Sequence, residues 1–109
     1  MDRPILDAGY IIGPYILKDI VDKKMEYRRY AISGLGKIKY TPATSVIEKI
    51  LNDKSEKLYY RGDAYETLVK FDTKESNEII KNFRFQANDS LDKDVVKYVD
   101  HISYLKQSD

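Results

Sequence analysis

Between Thr41 and Leu51 the chain carries an apolar pattern that only a helix can bury. Ala43, Val46, Ile47, Ile50 and Leu51 recur at spacings of three and four, behind a Thr41-Pro42 pair. Thr is a good N-cap and Pro is tolerated in the first helical turn, so both the start and the buried face are specified. A second stripe follows Asp89 or Ser90, either of which can cap it, and runs to about Lys106. Its members are Leu91, Val95, Tyr98, Val99, Ile102 and Leu105. A third, shorter pattern places Ile16, Leu17, Ile20 and Val21 on one side of Tyr15–Lys24, entered through Gly13-Pro14 and ending on Lys23 and Lys24, where cations suit the helix dipole. Asp2–Ile12 reads as irregular or as a short strand, and Gln107–Asp109 as a frayed tail.

The remaining segments read as strands. In Met25–Ile32 the residues Met25, Tyr27, Arg29 and Ala31 alternate with Glu26, Arg28, Tyr30 and Ile32. Ser33–Gly36 forms a turn cluster and Lys37–Tyr40 alternates again, which is the pattern of a β-hairpin. After a polar connector at Asn52–Glu56, Lys57–Arg61 reads as a strand and Gly62-Asp63 as a turn. Ala64–Phe71 fits a strand or a helix, its β-branched and aromatic content favouring strand. Thr73–Asn77 is a polar turn and Glu78–Gln86 another strand. The fold class expected is α+β: an antiparallel sheet, made of a β-hairpin and a three-stranded meander, covered by about three helices in the order α-ββ-α-βββ-α. A length of 109 residues fits one domain, 1–109, and no internal repeat or low-complexity segment stands out.

With no cysteine, stability must come from packing and hydrogen bonds, and the chain suits a reducing compartment. No apolar run approaches the roughly 20 residues that span a bilayer, and the start lacks a signal-peptide pattern. The expectation is a soluble cytoplasmic protein with no membrane association.

Nineteen Lys and Arg balance 18 Asp and Glu for a net charge of +1, which argues against a dedicated nucleic-acid binder. Gly34-Leu35-Gly36-Lys37 departs from phosphate-loop spacing, with Ile38 where Ser or Thr belongs. Arg61-Gly62-Asp63 spells an adhesion tripeptide but suits a hairpin turn. His101 is the single histidine, so no zinc set can form without cysteine. Asn88–Asp94 lacks the glycine and closing glutamate of a calcium loop. No nucleophile–base spacing is present. The expectation is a protein without catalysis, metal or cofactor.

Aromatic usage is the remaining feature: ten Tyr, three Phe and no Trp. A core this small cannot hold ten tyrosines, so several should be exposed. Tyr and Arg are the residue types that most often anchor interfaces. The candidate binding residues are Tyr27, Arg28, Arg29, Tyr30, Tyr59, Tyr60, Arg61 and Arg84, on one sheet face. The function expected is stoichiometric binding of a protein partner, or self-association as a homodimer, as in many phage and mobile-element accessory or inhibitor proteins. Alternatives are a nucleic-acid surface built on the same arginines and a small-ligand groove lined by aromatics.

Leu58–Tyr65, Val69–Asp72 and Ile80–Phe85 together resemble the central hairpins of RelE/ParE-type toxins. That likeness implies a basic, aromatic surface directed at the ribosome or gyrase. The element order differs, because here a β-hairpin separates the first two helices, and membership is not assigned.

Overall fold

No expected strand forms: helix replaces most of them, while Met25–Tyr27 and Ile38–Tyr40 are turn or irregular. The computed structural model describes residues 3–108, with side chains described over 11–106. It contains α1 (Arg3–Ile20), α2 (Arg28–Lys37), α3 (Thr44–Asn52), α4 (Leu58–Phe71), α5 (Lys74–Gln86) and α6 (Ser90–Ser108), with a 3-10 turn at Thr41–Ala43 leading into α3. No strand occurs among the described residues. The α+β class, the antiparallel sheet and the sheet face proposed for binding are therefore corrected to an all-helical architecture.

The reason lies in which residues are buried. α2 buries Arg28, Ile32, Leu35 and Gly36, at i, i+4, i+7 and i+8, a helical stripe. Its first member is an arginine and its last a glycine, so a search for apolar residues finds only half of it. α4 buries Arg61, Gly62, Ala64, Tyr65, Thr67, Leu68 and Phe71, which surround most of the helix. A helix enclosed on several sides has no single apolar face to reveal it. α4 is the hub of the fold: α2, α3, α5 and α6 all pack on it, while α1 packs on α2. In α5 the stripe is Ser76, Ile79, Ile80 and Phe83. Ser76 is hidden in the same way, because it also closes a reciprocal cap with Thr73, each side chain accepting from the other's backbone N–H at 3.0 and 2.9 Å.

α1 and α6 also differ from expectation at their ends. α1 begins by Arg3 and stops at Ile20, so the Asp2–Ile12 segment is helical wherever it is described; Asp2 itself lies outside the described residues. Pro14 sits inside this helix instead of opening it. α6 continues through Ser108, so the tail is helical at Gln107 and Ser108, and Asp109 lies outside the described residues. The stripe of α6 is buried at its centre, Val95 and Val99, whereas Leu91 and Leu105 are exposed.

The helices form an internal repeat, contrary to expectation. Tyr27–Leu51 aligns without a gap on Tyr60–Arg84. Tyr27 matches Tyr60, Arg28 matches Arg61, Ala31 matches Ala64, Leu35 matches Leu68, Lys37 matches Lys70 and Ile47 matches Ile80. The backbone obeys the same register. The two non-glycine residues with positive φ, Lys39 at 53° and Asp72 at 48°, are counterparts, and each reverses the chain between the helices of its hairpin. The α2–α3 hairpin thus stacks on the α4–α5 hairpin, each burying a face the other needs. Gly36 permits the close approach of the hairpins, and Gly62 that of α6 to α4. A Cβ on Gly36 would lie 3.2 Å from Thr67 of α4, and one on Gly62 would lie 2.5 Å from the Tyr98 ring of α6. Thr67 Oγ1 adds a bond between helices by donating to the Ile32 carbonyl at 2.9 Å.

Candidate functional site

Two of the candidate residues face inward and build the fold. Arg28 and Arg61 are each 2% exposed. Arg28 Nε donates to the Ile20 carbonyl at 2.6 Å, satisfying an end group of α1 that has no partner within its own helix. Its two Nη atoms both bond Glu56, Nη1 to Oε1 at 2.8 Å, and the guanidinium stands 5.1 Å from the Tyr60 ring centre. Arg61 repeats the arrangement one hairpin later. Its Nε donates to the Leu51 carbonyl near the end of α3 at 2.8 Å, and Nη2 bonds Asp92 Oδ1 at 2.5 Å. The hydrogen bond it donates to Glu56 raises the pKa of Arg28 against the opposing pull of burial. These cations are enclosed and matched, so neither is available to a ligand, and Tyr60, half-buried, serves as the cover of Arg28.

Four other candidates do come together. Tyr27, Tyr30 and Tyr59 are 60%, 78% and 52% exposed. Tyr27 and Tyr30 lie at the start of α2 with ring centres 6.4 Å apart. From the same turn Arg29 reaches across to α4, where Nε donates to Asp63 Oδ2 at 2.8 Å and Nη2 to Oδ1 at 3.3 Å. The same guanidinium stands 5.1 Å from the Tyr59 ring centre, and Tyr59 meets the Tyr98 ring of α6 edge-on at 5.8 Å. The bond to Asp63 is the main reason that the Arg29 pKa is raised above its ordinary value. A cavity of about 310 Å³ opens here, lined by Arg29, Tyr30, Ser33 and Asp63. Three helices therefore bring Tyr30, Tyr59 and Tyr98 beside a pinned guanidinium, with Tyr27 against Tyr30. Asp63, Ser33 and Tyr98 were missed in the sequence because Asp63 and Ser33 sit in segments that read as turns and Tyr98 belonged to a buried stripe.

Arg84 lies apart. It bonds Asp100 of α6 at 3.0 and 3.1 Å and the Tyr65 hydroxyl at 3.0 Å, none of which touches the Arg29 cluster. Its pKa is raised, chiefly by Asp100. Each of the four candidate arginines is thus matched by its own carboxylate, and they do not converge.

Other motifs resolve into structural roles. Gly34 and Gly36 belong to α2, not to a loop. In Arg61-Gly62-Asp63, the arginine is buried, the glycine lies under Tyr98 and the aspartate holds Arg29. Asp89 caps α6 through the Asp92 N–H at 2.8 Å, and Lys54 bonds both Asp89 and Asp92. His101 is exposed on α6. Among the described residues no three His, Cys, Asp or Glu side chains are grouped to hold a metal ion, and no helix is long and apolar enough to cross a membrane. The segments that resembled RelE/ParE-type hairpins lie in α4 and α5, so that likeness loses its strands. Comparison with protein-family models, curated proteins and solved structures finds no significant match for the chain.

Proposed function

We propose that this chain is a non-catalytic, cytoplasmic protein-binding module whose recognition surface is the Tyr27–Tyr30–Arg29–Tyr59 face. One observation carries the reading: exposed Tyr30 and Tyr59 flank an arginine already fixed by Asp63, beside an open cavity, and exposed Tyr27 extends the surface from Tyr30. Phenol rings contribute large contact area at small conformational cost, and a pinned guanidinium loses little freedom on binding. Stacked hairpins also offer a continuous surface to which successive helices contribute. The partner is a protein, because the local charge is balanced; a polyanion would need unmatched cations.

The test is affinity capture from the native host with mass spectrometry, run with the natural chain and with Tyr27→Ser/Tyr30→Ser. Both substitutions are at exposed positions, so thermal stability should change by no more than about 0.5 kcal/mol. The expected result is one partner captured in stoichiometric amount, with at least about tenfold loss in the double variant, as removing interface hot spots produces. Equal capture by both proteins overturns the reading. Elution of the pure protein at dimer mass, abolished in the double variant, would assign the face to a second copy instead.

A further inference from the structure

The repeat extends beyond the two hairpins. In α1, Gly13, Ile16, Leu17 and Ile20 have the spacing and the burial of Ser76, Ile79, Ile80 and Phe83 in α5, so α1 is built as the second helix of a hairpin. In α6, Val95, Val99, Ile102 and Leu105 are spaced as Arg61, Tyr65, Leu68 and Phe71 in α4, so α6 is built as a first helix. Among the described residues neither has its hairpin mate. Each exposes apolar side chains where its counterpart does not. The outward positions Lys74, Glu75 and Glu78 of α5 correspond to Ile11, Ile12 and Tyr15 of α1, all at least 50% exposed. In α4 the stripe is buried through its last member, Phe71, whereas in α6 Leu105 is 50% exposed. Stacked repeats stay soluble through polar faces on their terminal units; these two faces are apolar.

We propose that the two faces form one interface, in which α1 of one copy completes the hairpin that α6 of a second copy leaves open, joining chains head to tail. The α4–α5 hairpin is the template. Its turn sets Phe71, at the end of α4, next to Lys74 at the start of α5. The same antiparallel pairing sets Leu105 against Ile11, Ile12 and Tyr15, and at the other end Leu91 against Val21, both exposed. Apolar side chains therefore meet at both ends of the paired helices, and removing them from water drives the contact. The occupant is a second copy because this chain carries both halves in the register of its own hairpins, and the stack of α2–α3 on α4–α5 continues through the contact. Two unlike surfaces make a heterologous contact, which grows into a ring or an open filament. Tyr27, Arg29, Tyr30 and Tyr59 take no part, so the inference does not rest on the function proposed above.

The experiment is sedimentation equilibrium of the full chain, raised to about 1 mM to populate a weak contact. The expected result is a mass that climbs with concentration from monomer to dimer or beyond. Tyr15→Glu and Leu105→Glu, both at exposed positions, should keep the helical circular dichroism and each weaken association at least about tenfold, as the loss of an interface anchor does. Either variant alone decides the matter if the other does not fold. Mixed in equal amounts, the two should form a dimer and nothing larger, because each retains the face that the other lacks. Tyr27→Ser/Tyr30→Ser should assemble like the natural chain. A natural chain that stays monomeric, unchanged association in either glutamate variant, or a mixture no more associated than its parts would each overturn the proposal. So would loss of assembly in Tyr27→Ser/Tyr30→Ser, which would assign self-association to the tyrosine surface.

Discussion

The two buried arginines perform one task in two ways. At Arg28 the counter-charge is a single carboxylate, Glu56, whose side chain is 6% exposed, and the guanidinium engages both of its oxygens. At Arg61 the counter-charge is Asp92, which is 14% exposed, meets the guanidinium through one Nη, and is shared with Lys54, itself bonded to Asp89. The first centre is closed, whereas the second communicates with the surface through a chain of charges. A sealed pair has nothing to replace a lost partner; a network with water at its edge can rearrange.

The sharpest way to break this contrast is Glu56→Ala. Removing one partner of a buried pair leaves an uncompensated charge and costs about 3–5 kcal/mol. Denaturant melts followed by circular dichroism should show that loss, and a cost no greater than that at Asp92 would refute the distinction. Asp92→Asn should cost less, about 1–3 kcal/mol, because Arg61 keeps a neutral acceptor and water reaches the site.

Acid sharpens the same comparison. Burial pushes the Asp92 pKa up, but hydrogen bonds from Arg61 and Lys54 outweigh it and hold the carboxyl below its ordinary value. Lys54 does the same for Asp89. A carboxylate depressed in the folded state contributes stability that is complete above its unfolded pKa, near 3.9, and is lost as pH falls through the folded value. The melting temperature of the natural chain should therefore be level above about pH 5 and fall below pH 4, and Asp92→Asn should flatten that fall. An unchanged acid slope in the variant would remove Asp92 from the account.

The smallest effect concerns the glycines. Gly34 lies inside α2, and a Cβ added there would meet no atom of another element within 4 Å. Gly34→Ala should stabilise by about 0.5–1 kcal/mol through helix propensity alone. A destabilisation in the same denaturant melts would mean that α2 packs more tightly there than its neighbour α4 requires.

The candidate surface was half legible before the fold was known. The surplus of tyrosine implies exposure, and Tyr27, Tyr30 and Tyr59 are exposed whichever secondary structure carries them. Arg28 and Arg61 misled because arginine on a basic, aromatic segment looks like a surface residue, when here the guanidinium closes a helix end inside the core. The same substitution of arginine, glycine and serine for apolar residues at buried positions broke the stripes of α2, α4 and α5 and let an accidental alternation pass for strand.

Local pattern alone determined the α3 and α6 helices, because their buried positions are apolar and their faces single. It also determined the balance of charge and the excess of rings. Tertiary structure decided the rest: that α4 is enclosed, that two hairpins stack in register, and that Asp63 and Tyr98 join Arg29. Those outcomes depend on contacts between residues far apart in the chain, where an arginine can be buried because a distant carboxylate and a helix-end carbonyl meet it there.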